Sequence, residues 1–423
     1  MNILQRACGF LASLDAQREV FVNVVPDTLM QEAQSAAARQ AAGRLLGPLD
    51  GQFVAVKANI DVQALPSHAG SLAIAPHPAE NDAPIVSRLR SAGAIILGHV
   101  NMSEFAFSGL GVNPHFGTPM NALDSTKVPG GSSSGSASAV ALGLADIALG
   151  TDTSGSVRIP AACQGLVGFR PTMGRYESAG IVPLAPSLDT PGPLASNVSQ
   201  VCAVDRVLSD HKETGRVCRQ ILCLNDDALV ECSPEIGAMY NQALQKLSDH
   251  GIDLERVDLQ SFARVTKVFQ TYGTLVSAEA FRLVPNLVGD QLSKLDPNVR
   301  DRLAQAASIR DSELQEMLAL RRTLISNFGR ELSGKMLLYP TLPWYPPSVQ
   351  AVIRDRDVFA RENALILSIA MKTAFLDAPT IALPFGERRA GNSLSLSGAA
   401  NSDPDVLATA SFLERVFSEE NDG

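Results

Sequence analysis

The sequence predicts an α/β protein whose sheet contains parallel strand pairs. Short β-branched runs alternate with amphipathic or alanine-rich segments of helical length, and glycines or polar loops separate them. At 423 residues, 45% hydrophobic and 19% charged, the chain is also long and apolar enough to bury a core and shield a site from water.

Taken in order, residues 1–48 read as helical. Within them "PDTLMQEAQSAAARQAAGRLLG" places Asp27 before the helix, alanines inside it and Gly47 after it. "GQFVAVKANIDV" is β-branched and reads as a strand ending near Lys57. "APIVSRLRSAGAIILGHVNMSEFAF" reads as helix, Gly93, strand, loop, helix. "PGGSSSGSASAVALG", from Pro129 to Gly143, starts as glycine and serine and becomes an alanine-rich helical segment. "IALG" follows as a buried strand, "GTDTSGSVR" as a tight polar loop, and "GLVGFRPT" as a strand ending at Pro171. Residues 230–335 hold amphipathic helices with charged outer faces, read as a helical layer or cap. "KMLLYPTLPWYPPS" and "APTIALPFG" are strands running into proline loops, and "DPDVLATASFLERVF" is the last helix.

Composition narrows the partners. A formal net charge of −9 without a basic tract argues against nucleic acid or an anionic membrane. Cys8, Cys163, Cys202, Cys218, Cys223 and Cys232 are irregularly spaced with no C-x-x-C, so neither a metal nor a disulfide framework is expected. That usage points to a cytoplasmic location. The apolar run in "MNILQRACGFLASLDAQREV" is short and interrupted by Arg6, unlike a secretory signal. No run of about 20 apolar residues suits a membrane helix.

The Gly/Ser stretch carries the functional question. A flexible linker would be flanked by polar sequence, but this one leads into core-like "ASAVALGLADIALG". A phosphate loop would need a lysine after the glycines, and none follows. Gly131 to Gly135 fits G-x-S-x-G around Ser133, but the histidines then required, His211 or His250, sit in polar segments. A fourth reading joins Lys57, Ser132 and Ser156. A serine hydroxyl needs a base, and a desolvated lysine is able to serve as one.

Six segments make the chain resemble the amidase signature family: "VAVKANIDVQALPSHAGS", "DAPIVSRLRSAGAIILGHVNMSEFAF", "NPHFGTPMN", "PGGSSSGSASAVALG", "GTDTSGSVRIPAACQGLVGFRPTMGR" and "SLDTPGPLASNV". The resemblance covers roughly 51–195. It implies a single amidase domain over 1–423, with a large mixed twisted sheet flanked by helices on both faces and a variable layer at 230–335 that shapes the pocket. It also implies a Ser–cisSer–Lys catalytic set: Ser156 as nucleophile, Ser132 as the bridging serine held by a cis peptide after Gly131, and Lys57 as base. The backbone amides of Thr153, Ser154, Gly155 and Ser156 would form the oxyanion hole. Ser133, Asp152 and Arg158 would support the relay, the last two as a pair that fixes the loop. The implied substrate is a small carboxamide, cleaved to ammonia and a carboxylate with no metal or organic cofactor. A homodimer is compatible with the family. The alternatives are a urea-derivative amidohydrolase of biuret or allophanate type, and the A-type component of a glutamine-dependent tRNA amidotransferase.

Some residues depart from the family pattern or have blander readings. Ser134 and Ser154 stand where many relatives have glycine, and Ala58 replaces an aspartate common after the lysine. "GERRAGNSLSLSGAANSDP" departs from the usual C-terminal pattern. His115 and Arg170 read as structural and Cys163 as unreactive. Trp344 and Tyr345 read as packing residues or as part of the rim of the substrate mouth.

Overall fold

The computed structural model describes residues 2–210, 213–225 and 232–419. Its strands are β1 (Phe21–Asn23), β2 (Phe53–Lys57), β3 (Ile95–Val100), β4 (Ile147–Thr151), β5 (Val167–Arg170), β6 (Pro191–Ala195), β7 (Gln220–Leu224), β8 (Asp253–Val257), β9 (Met336–Pro340), β10 (Thr380–Pro384) and β11 (Ser393–Ser397). They form one mixed sheet in the order β1-β3-β2-β4-β6-β5-β10-β11-β9-β7-β8. β2 runs parallel to both β3 and β4, and β7 parallel to β8 and β9. The middle of the sheet, from β4 through β6, β5, β10 and β11 to β9, is antiparallel.

Both faces of the sheet are covered, and alternation along the strands explains how. Val54 and Val56 of β2 join one core with Ile147 and Leu149 of β4. Phe53 and Ala55 join a second core with Ala148, on the opposite face. Helices Ile3–Ser13, Pro26–Ala41 and Ser134–Ala141 supply the second core. Helices Pro84–Ser91, Val198–Leu208, Pro234–Asp249, Asp311–Leu332 and Asp403–Ser418 pack on the first. Strands buried on both faces read as continuous apolar runs, as "FVAV" and "IALG" do.

Several elements differ from the sequence expectation. Residues 1–48 are not all helical: β1 interrupts them and pairs antiparallel with β3. "NMSEFAF" supplies only a short 3-10 turn, Glu104–Ala106, with Phe105 and Ala106 at positive φ. The described part of the 230–335 layer, from 232 on, is built of helices and their connections except for β8, an edge strand carrying Asp253, Glu255 and Arg256, charges that discourage further pairing. Among the described residues no helix is long and apolar enough to cross a membrane.

Candidate active site

Lys57 ends β2 on the face shared by Phe53 and Ala55, so it points toward the helix Ser134–Ala141 that packs there. It is fully buried. Its Nζ lies 2.7 Å from Ser132 Oγ, 2.8 Å from Thr151 Oγ1 and 3.3 Å from the Thr151 carbonyl oxygen. Burial pushes the amine down to about 7, against the opposing pull of the Asp152 and Asp189 charges. A neutral amine has two N–H donors and one lone pair. Three oxygens therefore match it when Thr151 takes the N–H groups and the Ser132 hydroxyl donates to the lone pair.

Ser132 follows a cis peptide bond from Gly131. The fold clamps this turn. Gly131 N–H donates to the Gly109 carbonyl at 2.7 Å, and Ser103 N–H to the Ser132 carbonyl at 3.0 Å. A Cβ on Gly131 would lie 2.5 Å from Gly111 N and 2.7 Å from the Ser108 carbonyl oxygen, so only glycine fits. The serines beyond it bond to strand and loop carbonyls. Ser136 Oγ donates to Leu149 O at 2.9 Å, and Ser138 Oγ to Met120 O at 2.8 Å. Small hydroxylated residues thus let the helix lie close on β4, with the Ser136 and Ser138 hydroxyls paired and the buried Ser134 hydroxyl left without a partner among the described residues. This explains a Gly/Ser run ahead of a buried helix better than a linker does.

Ser156 stands opposite. Its carbonyl accepts the Ser133 N–H at 3.2 Å, which locks the Ser132 and Ser156 turns together. Ser132 and Ser156 are buried, the latter 3% exposed. Gly155 has φ +123°, and a Cβ there would meet the Ala370 Cβ at 2.7 Å.

Asp152 and Arg158 form a fully buried pair, with Asp152 Oδ2 2.9 Å from Arg158 Nε and Oδ1 3.0 Å from Arg158 Nη2. Burial pushes the Asp152 carboxyl up, but the charge and hydrogen bonds of Arg158, the charge of Arg170 and the Val157 N–H outweigh it and hold the group at about 2. Arg158 reaches on to Thr373 Oγ1 and the Ala370 carbonyl, so the pair ties the Ser156 loop to the C-terminal third. The structure corrects one expectation about this loop. Gly155 N–H donates to Asp152 Oδ1 at 2.7 Å, so this amide is already spent within the loop rather than offered to an oxyanion. Thr153, Ser154 and Ser156 remain as the expected donors.

Other residues from the sequence reading take structural places. His115 Nε2 meets Glu104 Oε1 at 3.1 Å. Arg170 is buried between Asp152 and Asp377. Cys163 is buried, and that burial pushes its thiol up, away from the reactive thiolate. Trp344 is 47% exposed, while Tyr345 is held by Asn392 and by Arg389 over its ring. His250 bonds to the Lys246 carbonyl and Glu419, and His211 lies outside the described residues. Sequence reasoning missed Thr151, directly beyond the predicted strand "IALG", and Asp189 in "SLDTPGP". Asp189 accepts the Thr153 hydroxyl at 2.6 Å and the N–H groups of Leu184 and Ala185, and burial raises it to about 6.

A cavity of about 930 Å³ lies nearby among the described residues. Asn363, Leu367 and Met371 lie on its wall, and the relay side chains do not. It adjoins the site through its neighbours: Asn363 Oδ1 accepts the Gly109 N–H at 2.8 Å, and Ala370 touches Gly155. A smaller cavity of about 110 Å³ is walled by Thr151, Ile181 and Asp189.

Two interlocked serine turns and a desolvated lysine at a strand end thus sit within a doubly covered mixed sheet. The chain matches the family described as Amidase over residues 2–407 and belongs to that family, whose members hydrolyse C–N amide bonds. It is 31% identical to the A-type component of the glutamyl-tRNA(Gln) amidotransferase of Thermobifida fusca, over 89% of this chain and 77% of that one. It is 32% identical to the 2-amino-5-chloromuconic acid deaminase of Comamonas testosteroni, over 93% and 85%, and 29% identical to the mandelamide hydrolase of Pseudomonas putida, over 95% and 85%. A crystal structure of an amidase superposes with a TM-score of 0.88 at 29% identity, covering 99% of this chain and 97% of the other.

Proposed function

We propose that this enzyme hydrolyses a small carboxamide to a carboxylate and ammonia through a Ser156 acyl-enzyme. The observation that carries the reading is the 2.7 Å contact between a lysine held near neutrality and Ser132 Oγ. Neutral Lys57 takes the Ser132 proton as Ser132 takes that of Ser156. Ser156 Oγ attacks the amide carbon, and the carbonyl oxygen becomes an oxyanion facing the amides of Thr153, Ser154 and Ser156. Each such donor contributes about 3–4 kcal/mol to the barrier reduction. The C–N bond breaks as the relay returns the proton to nitrogen. Water then loses a proton to the same relay, attacks the ester carbon and frees Ser156. In this reading residues 51–195 carry the chemistry and 230–335 shape the pocket within one domain over 1–423. The mandelamide hydrolase likeness supports a small carboxamide substrate.

The likeness to an amidotransferase component supports a second reading, in which glutamine is the amide and a separate partner protein receives the ammonia. Ammonia release from indoleacetamide, mandelamide, a short aliphatic amide, malonamide, biuret and glutamine separates the two, with Ser156→Ala as control. Turnover of one carboxamide that disappears in Ser156→Ala supports the proposal. Turnover that persists in Ser156→Ala overturns the relay.

A further inference from the structure

The cavity beside the serine turns contains a cation that the relay does not use. Arg302, on the helix Pro297–Ala306, lines the cavity and is partly buried. Its guanidinium carbon stands 3.8 Å from the centre of the Phe107 ring and one Nη donates to the Phe107 carbonyl. Among the described residues no carboxylate pairs with it. The acidic groups on the same wall are placed otherwise. Asp301 pairs with Arg356, Asp355 caps the helix Arg356–Leu367 through the N–H groups of Asp357 and Val358, and Asp357 is exposed in that helix's first turn. Burial lowers the pKa of Arg302 to about 10, which still leaves it charged at neutral pH. A guanidinium withdrawn from water without an anion has four further N–H donors to satisfy.

Its position relative to the reacting atoms follows from Phe107. The segment from Ser103 to Gly109 wraps the cis turn, with Ser103 N–H on the Ser132 carbonyl and the Gly109 carbonyl on Gly131 N–H. Leu367 and Met371, also on the wall, flank Ala370 in sequence, and Ala370 packs against Gly155. The cavity wall holds Arg302 together with apolar Leu367 and Met371, and it reaches the Ser132 and Ser156 turns only through neighbours, by way of Asn363 on Gly109 and Ala370 on Gly155. We propose that the substrate is an anionic amide: an acyl chain whose far end bears a carboxylate received by Arg302, with its carboxamide presented to Ser156. The monoamide of a linear dicarboxylic acid is the simplest such molecule. This rests on the amidase reading above.

The test is binding, which does not require turnover. Ser156→Ala protein is titrated calorimetrically with succinamate and adipamate, and with butyramide and hexanamide as neutral partners of matched chain length. At least one anionic amide should bind about tenfold or more tightly than its neutral partner. Arg302→Met in the same background should remove that preference and leave neutral-amide binding within about twofold, which doubles as the control for folding. Arg302→Lys should restore part of it, since the charge returns without the planar fork. Equal or tighter binding of the neutral amides, persistence of anion binding in Arg302→Met, or no binding of any of the four at millimolar concentration overturns the proposal. A wild-type enzyme that binds adipamate through Arg302 yet releases no ammonia from it refutes the amidase reading of this substrate and leaves the anion site standing.

Discussion

Lowering the pH from about 8 to 5 should silence the enzyme through Lys57. Burial takes this amine from 10.5 to about 7. That is about 5 kcal/mol of preference for the neutral form over an exposed lysine. At pH 7 about half of the molecules hold the neutral base, and at pH 5 about 1% do. The value of kcat/KM should therefore fall about tenfold per unit below pH 6 and level off above pH 8. Asp189, raised by burial to about 6, titrates nearby, and its anion raises the Lys57 pKa. Asp189→Asn removes that influence, so the acid limb should move to lower pH. The assay is the initial rate of ammonia release across about pH 5 to 9 at constant ionic strength, for wild type and Asp189→Asn. A kcat/KM that stays flat between pH 5 and 8 would refute the assignment of Lys57 as the base. The same shift fixes a sign for stability. Between about 7 and 10.5 the unfolded chain binds more protons at this residue than the folded one, so its contribution to stability rises with pH across that window. Below pH 7 the folded state holds a buried charge. Lys57→Met removes that charge, so its Tm at pH 6 should not fall although turnover disappears.

Three further outcomes are expected. Thr151→Val deletes an acceptor of Lys57 Nζ and should lower kcat by about tenfold, near 1.5 kcal/mol, with KM little changed in steady-state kinetics. Asp152→Asn leaves the buried guanidinium of Arg158 without its anion and should cost about 3–5 kcal/mol in denaturant unfolding. Because Asp152 lies at about 2, well below its usual 3.8, its contribution is fully present above the unfolded value and is lost only as pH falls toward 2, so wild-type unfolding between pH 5 and 7 should show no transition from this group. Gly131→Ala forces a Cβ to within 2.5 Å of backbone, and turnover should drop at least a hundredfold while far-UV circular dichroism is retained.

The site was more legible than the sheet. Lys57, Ser132 and Ser156 lie in segments whose glycines and serines are demanded by close backbone approach, and such demands leave a dense pattern in sequence. The Asp152–Arg158 pair was legible for the same reason. The donors were less so, because Gly155 N–H turns inward to Asp152 through a loop geometry that residue identity does not encode. Strands with weak local signals were missed. β6 is "PGPLA", with two prolines where a ladder needs N–H groups; its pairing with β5 covers only Ala195 and Leu194, short of the prolines. β1 is three residues long and exists through its pairing with β3. β11, "SLSLS", alternates Leu394 and Leu396 into the core with serines that bond to Thr341, Tyr339 and Thr380, so tertiary pairing rather than propensity makes it a buried strand.

The cavity wall and the relay come from different stretches of chain. Lys57 and Thr151 end strands laid down early, whereas Arg302, Asn363, Leu367 and Met371 ride on helices that enter the fold after β8. Changes far enough apart to share no partner act additively. Among the described residues Arg302, Leu367 and Met371 make no hydrogen bond to either serine turn, so substitutions there alter the wall without touching the relay's bonds, whereas Asn363, which holds Gly109 and through it Gly131, is coupled to the relay.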